Sequence, residues 1–276
     1  MRAKLFLIPL LLSSAACQGS VDAREQAPAA TPAPAAAAAA AATSRADPPV
    51  AAGEARTVRQ ETGSYVFDYS YPAQAARHLV LAAYLEKELA TSLAALAREA
   101  DQFLRNRDPQ DTRAVKYSLG TGWSVVTDLP GWLSLSAQIS SYSGGAHGNH
   151  GMATLLYDKS DGEIRQPLDL FKGRAALWQA IETRFCAALD KQREERRGEP
   201  VDKGDDLFGV CPGLDELVLL LGSSNRQSFD RMTLYAGPYV AGPYAEGDYE
   251  VDLDIDAAVL AAVRPEYAEA FSARRR

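Results

Sequence analysis

The strongest periodic signal lies between residues 75 and 106. Leu79, Ala83, Leu89, Leu93, Leu96, Ala100 and Phe103 recur at helical spacing, with Glu86, Lys87, Arg98, Glu99 and Asp101 between them. This predicts one long amphipathic helix, closed at Asp108-Pro109, because proline pushes the preceding residue out of helical backbone. Before it, residues 65–71 (Tyr-Val-Phe-Asp-Tyr-Ser-Tyr) are strand formers that stop at Pro72. After it, residues 114–119 and 123–128 read as two strands flanking a kink or hairpin at Gly120-Thr121-Gly122. Leu133, Leu135, Ala137 and Ile139 then alternate with Ser134, Ser136, Gln138 and Ser140, the pattern of a half-buried strand. A further strand is expected over residues 153–157, and a helical turn at Leu168-Asp169-Leu170-Phe171.

The C-terminal half gives a second helix over residues 174–196. Residues 214–221 are apolar and fit either helix or strand, and residues 229–235 read as a strand. Residues 237–247 read as a loop. Residues 250–256 alternate strictly, with acids on one face, and a short helix over 257–263 stops before Pro265. Helices and strands without regular alternation predict an α+β fold. Its mixed or antiparallel sheet packs against the long first helix and the second helix.

The first residues carry a different pattern. Arg2 and Lys4 precede an apolar run from Leu5 to Leu12, too short for the roughly 20 residues that span a bilayer. Charge, then apolar core, then small residues is the order of a secretory signal. The run ends in Ser14-Ala15-Ala16-Cys17, which resembles a bacterial lipoprotein box, with Ser14 where that family usually has Leu. The resemblance implies cleavage before Cys17 and a lipid on its thiol; ordinary cleavage after Ala16 is the alternative. Gln18 is not the aspartate associated with inner-membrane retention, so the expected location is the outer membrane, facing the periplasm. Residues 18–58 follow as an Ala/Pro-rich tether with an unbroken alanine run from Ala35 to Ala42. The prolines interrupt it, and it has too little apolar surface to repay its ordering entropy. One globular domain is then expected over residues 59–276, with an optional division into 59–140 and 141–276.

Composition narrows the partners. The chain is 47% hydrophobic and 24% charged, as ordinary globular domains are, and its formal net charge of −7 argues against nucleic acid. The basic cluster at Lys191–Arg197 is interleaved with Glu194 and Glu195 and reads as a solvated helix end. With Cys17 assigned to lipid, Cys186 and Cys211 form an even pair in an exported domain and are expected to make a disulfide. No Cys-x-x-Cys spacing suggests redox chemistry.

Two stretches depart from element patterning. Tyr142-Ser143-Gly144-Gly145-Ala146-His147-Gly148-Asn149-His150 is a glycine-rich loop bearing two histidines. A metal site needs three or four ligands and no third is evident; no phosphate-loop or Gly-x-Ser-x-Gly motif is present. No cofactor is expected. The plainest reading is a loop whose His147 makes an internal hydrogen bond. The second stretch, residues 235–247, interleaves Tyr235, Tyr239 and Tyr244 with Gly237-Pro238 and Gly242-Pro243. Tyrosine suits recognition surfaces, and it equally suits covering a core beneath a loop.

These two stretches, in this order with Leu168-Asp169-Leu170-Phe171, resemble a bacterial envelope domain. That domain is the extracellular region of RsiV-type anti-sigma factors, and it accompanies the catalytic domain of PdaC-type peptidoglycan deacetylases. The resemblance implies an α+β fold over about residues 60–265. In the RsiV-type receptors the module binds lysozyme; in the deacetylases it is an accessory region. No transmembrane helix, sigma-binding segment or deacetylase domain is read in this sequence, so only the shared module carries over. The expected function is a non-enzymatic envelope-binding module on a lipid anchor, recognising a protein (a lysozyme-like one by resemblance) or a peptidoglycan fragment. The candidate contact residues are Tyr142, Ser143, Gly144, Gly145, His147, Asn149, Tyr239, Pro243 and Tyr244. A cell-wall enzyme using His147 as acid/base, and a purely structural lipoprotein, are the alternatives.

Overall fold

A computed structural model describes residues 53–108, 110, 115–204 and 207–274. Cys17, the expected signal and the tether as far as residue 52 lie outside the described residues.

Six strands form the first sheet in chain order: β1 (Arg56–Glu61), β2 (Tyr65–Tyr71), β3 (Tyr117–Asp128), β4 (Trp132–Tyr142), β5 (Asn149–Asp158) and β6 (Ile164–Arg165). Every adjacent pair is antiparallel except β2 and β3, which run parallel. A parallel neighbour needs a crossover, and here it is helical: α1 (Ala73–Ala76) and α2 (Leu79–Asn106). The expected single helix over 75–106 is thus broken at Arg77-His78, where His78 is extended and its ring packs 4.6 Å from that of Tyr157.

The stripe buried along α2 is Leu81, Leu85, Leu89, Leu96 and Ala100; Leu79 and Ala83, expected on the same face, are exposed, because the row that ends in Leu89 runs through Leu81 and Leu85. That stripe covers Tyr65, Phe67, Tyr69 and Tyr71 of β2, Trp123 of β3, and Leu135 and Ala137 of β4. Two tyrosine tips find carboxylates on α2: the Tyr69 hydroxyl donates to Glu88 at 2.6 Å and the Tyr71 hydroxyl to Glu86 at 2.6 Å. Burial, together with these carboxylates, pushes both phenols up, so both remain donors.

Two expectations about this sheet are corrected. Gly120-Thr121-Gly122 is neither a kink nor a hairpin: β3 is continuous and pairs on both edges through these residues. Neighbouring strands hold the glycines extended, which outweighs their weak strand propensity. The irregularity falls instead between Val125 and Thr127. β1 begins at Arg56, within the stretch assigned to the tether; its pairing with β2 is what makes it a strand, because only Val58 in it is buried.

Helix α3 (Arg174–Arg197) leads to the second sheet, an antiparallel meander of β7 (Val218–Gly222), β8 (Arg231–Ala236) and β9 (Tyr249–Asp254), followed by α4 (Ala257–Ala262). The ambiguous run over 214–221 resolves into β7. Leu177, Ile181, Phe185 and Leu189 form one buried row at four-residue spacing against Met232, Leu234, Val251 and Leu253. Leu129 of the β3–β4 turn, Trp132 of β4 and Leu156 of β5 join the same core. The optional division near residue 140 falls inside β4, which pairs with β5 from Trp132 to Ser141.

The α3 row has a fifth member, and it is Arg193, fully buried at 0% exposure. The reading of the basic cluster as a solvated helix end is therefore wrong at this position. Four-residue spacing carries Arg193 onto the core face, while Glu194, Glu195 and Arg196 face solvent. Cys186, also on α3, is bonded to Cys211, with Cα atoms 5.6 Å apart.

Candidate functional site

The face of the first sheet turned away from α2 is polar, and strand register shows how it is built. One row across the sheet reads Arg59, Asp68, Gly120, Ser140, His150; the next reads Thr57, Ser70, Gly122, Gln138, Met152. In both rows the β3 position is glycine, so the middle of the floor is bare backbone between small or polar side chains. Interior strand glycines commonly mark close approach of another group. Tyr235, Asp248 and Glu250, from the second sheet and the turn before β9, form a wall. Together they enclose a trough of about 680 Å³, within the size range of small-ligand sites.

Its wall is braced by one polar chain. A ring nitrogen of His150, Nε2, lies 2.8 Å from Asp248 Oδ1, and the Tyr235 hydroxyl also bonds to Asp248. Burial first, then this carboxylate, pushes the Tyr235 hydroxyl up, so it stays protonated and donates. Ser70, Ser124, Gln138 and Ser140 line the floor, and none has a side-chain hydrogen bond among those of the described residues. The lining holds Asp68, Asp248 and Glu250 but no lysine or arginine.

An aromatic lip stands beside the trough. The His147 ring stacks on Tyr244 at 4.1 Å between centroids, Tyr239 lies 5.7 Å from Tyr244, and His150 meets Tyr244 edge-on at 5.6 Å. The Tyr244 hydroxyl donates to the Gly148 carbonyl at 2.9 Å. The glycine-histidine and tyrosine-proline stretches, more than ninety residues apart in sequence, are therefore one structure joined through His150. His147 Nδ1 is 2.8 Å from the Gly148 carbonyl, and its Nε2 lies 3.5 Å from the Tyr239 hydroxyl. Its ring serves as a stacking surface.

The other predicted contact residues are placed less directly. Gly144 and Gly145 both adopt positive φ, 98° and 97°, a turn that side chains resist, and the Tyr142 hydroxyl closes it on the Gly145 carbonyl at 3.1 Å. Ser143 and Pro243 are exposed. Asn149 and His150 lie in β5 and not in a loop, because they pair with Ser141 and Ser140 of β4. The trough residues themselves are absent from the expected set. A signal for them exists in the sequence: glycine or serine recurs on one parity of three strands at Ser70, Gly120, Gly122, Ser124 and Ser140. Taken strand by strand, that parity reads as a plain solvent face.

Helix α3 holds the lip from below. Arg193 Nε donates to the Ala241 carbonyl at 2.8 Å, Nη2 to the Val210 carbonyl at 3.1 Å, and Nη1 to Asp190 at 3.3 Å. Arg197 grips Glu246 with Nε and Nη2 at 3.0 and 3.1 Å. Burial pushes the Glu246 carboxyl up, but hydrogen bonds from Arg197 and Tyr249 outweigh it and hold the group below the ordinary carboxylate range. A carboxyl lowered by folding stabilises the fold above its unfolded pKa, and that contribution is lost as pH falls through the folded one. Acidification below the ordinary carboxylate range should therefore loosen the lip. Hydrogen exchange at the Val240 and Gly247 amides, corrected for intrinsic rate, is expected to show less protection there than at neutral pH. In Glu246→Gln the pH dependence should flatten.

Comparison with known proteins gives the following. Residues 58–150 match the family described as deacetylase PdaC. The matched PdaC-type segment runs from β1 to His150, less than half of the chain; it holds most of the trough floor, while Thr57, Met152, Tyr235, Asp248 and the lip tyrosines lie outside it. None of the curated proteins matches. Among solved structures, the chain is similar to a DUF3298 family protein from Pseudomonas aeruginosa PAO1, at 17% identity and a TM-score of 0.48, over 80% of this chain and 97% of that one. It is also similar to a DUF3298 family member from Bacteroides fragilis, at 16% identity and a TM-score of 0.43, over 73% of this chain and 90% of that one. No helix among the described residues is long and apolar enough to cross a membrane.

Proposed function

We propose that this chain is a non-enzymatic binding module of the cell envelope, carried on a lipid at Cys17 and facing the periplasm from the outer membrane. The observation that carries the reading is the meeting of the two unusual stretches as an aromatic lip on a glycine-floored trough. Idle hydroxyls and an exposed, braced aromatic surface are what a recognition site needs. The PdaC-type match supports an envelope setting. The ligand is a peptidoglycan fragment. A lysozyme-like protein is the second reading, favoured by the net charge of −7 and the Asp248 and Glu250 carboxylates of the trough, which suit a basic partner. The acid/base alternative loses support at His147, whose ring is stacked and whose Nδ1 faces a carbonyl.

The test is capture by the full chain of purified cell-wall sacculi and, separately, of lysozyme, beside the variant Gly122→Val. A Cβ at Gly122 meets only the Ser70 hydroxyl oxygen at 3.7 Å, and valine suits a strand, so the variant narrows the trough without a folding cost. Wild type should retain at least one of the two and the variant neither, at an unchanged or higher melting temperature. Equal retention by both chains, or retention of neither ligand by wild type, would overturn the reading. The anchor has its own check: Cys17→Ser should move the protein out of the membrane fraction.

A further inference from the structure

We infer that the trough and lip together form a binding site for an uncharged pyranose chain, with one sugar face against Tyr239 and Tyr244 and the next ring over Gly120 and Gly122. The inference rests on the binding-module reading and goes beyond it by naming the ligand's chemical class. Three independent features exclude other classes. Idle side chains at Ser70, Ser124, Gln138 and Ser140, with the Glu250 carboxylate as a further acceptor, leave a purely apolar ligand with polar groups to desolvate unpaired. Arg59 offsets Asp68 at 3.6 Å, but no lysine or arginine lines the trough beside Asp248 and Glu250, so that end repels phosphate-bearing or uronic-acid ligands. The third feature is the lip, whose ring faces carry negative potential and match the partly positive C–H face of a pyranose.

Tyr239 adds a structural reason. It is 54% exposed and holds φ at 67°, one of two non-glycine residues in the left-handed region among the described residues. That backbone costs about 1–2 kcal/mol for a residue with a side chain, and such strain concentrates at ligand clamps. Glycine would sit there at ease, so the ring is held at the lip at the expense of stability. The ring contributes little burial that would compensate.

The arrangement also sets the footprint. Neighbouring strands are about 4.8 Å apart, so the floor from Asp68 on β2 to His150 on β5 spans about 14 Å. His150 lines the trough and meets Tyr244 edge-on, which makes the lip continuous with the floor. A chain crossing from lip to floor engages both, so a single sugar should bind much more weakly than an oligomer.

Calorimetric titration of the full chain tests this with a tetramer of N-acetylglucosamine, an oligogalacturonate of equal length as the anionic control, and lysozyme as the protein arm. The tetramer should bind, and the anionic oligomer at least about tenfold more weakly. Tyr239→Gly removes the ring and relieves the backbone, so tetramer affinity should fall about tenfold while the melting temperature holds or rises. Gly122→Val should abolish tetramer binding. No tetramer heat up to about 10 mM, equal affinity for the anionic oligomer, or unchanged affinity in Tyr239→Gly each overturn the inference. Lysozyme binding that Gly122→Val removes, in the absence of tetramer binding, also overturns it and gives the trough to a protein, while the module reading stands. Failure of sacculi and lysozyme alike would sink that reading too.

Discussion

Arg193→Leu is expected to lower the unfolding free energy by about 3 kcal/mol and to weaken ligand capture at the same time. Replacing a buried ion pair by apolar residues is often harmless, so the sign has to be decided from the partners. Here two of the three acceptors are the Ala241 and Val210 backbone carbonyls, which no mutation removes. Asp190 keeps a partner in Lys203 at 2.5 Å and the Ala241 carbonyl keeps a long one in Arg197 Nη2 at 3.4 Å, so the main cost is the orphaned Val210 carbonyl and the space left by the guanidinium. Each buried unsatisfied group costs about 1–3 kcal/mol. Arg193→Lys should rescue little, because a point charge cannot donate in three fixed directions. Urea unfolding measures the first effect and sacculus capture the second. A leucine variant as stable as wild type would refute this account. The binding loss follows from position, since the Ala241 carbonyl lies between Tyr239 and Tyr244 in the lip.

Removing the disulfide with Cys186→Ser and Cys211→Ser is expected to cost about 3 kcal/mol, from the loop-closure entropy of a 25-residue separation. The same loss should follow reduction of the wild-type chain, read as a lower melting temperature that the double serine variant does not share. Val210, which accepts from Arg193, is the neighbour of Cys211, so the bridge and the arginine hold one segment. The two losses should therefore not add: once the bridge is gone, Arg193→Leu should cost measurably less. Strict additivity would mean that the two anchors act on separate structure.

Much of the scaffold is legible in the residue pattern. β2 coincides with the expected strand, α3 extends the expected helix by one residue, and β9 starts one residue before the alternation expected over 250–256 and ends two residues before its close. The cysteine pair and the α+β class follow from equally short-range reasoning. Where the pattern misleads, a partner strand or a core is responsible. β1 has a single buried residue and no apolar alternation, and exists as a strand through its ladder with β2. Glycines normally read as breaks are extended in β3 because both flanking strands pair through them. Arg193 looks like its solvated neighbours until the four-residue row from Leu177 is followed to its end.

The site divides in the same way. Unusual composition alone singles out residues 142–150 and 235–247, since their glycines and prolines interrupt helix and strand alike. Their meeting is a different kind of fact. His150 and Asp248 are 98 residues apart, and the trough floor takes residues from each of β1 to β5. Local periodicity reports which side of an element faces a core, and this chain states that clearly. It carries no information about which polar faces come together across two sheets, because that depends on strand register and on the packing of the second sheet against the first. The helix α3 and the strands β2 and β9 were therefore set by short-range residue chemistry, while β1, the extended glycines of β3 and the trough with its lip arose from long-range packing.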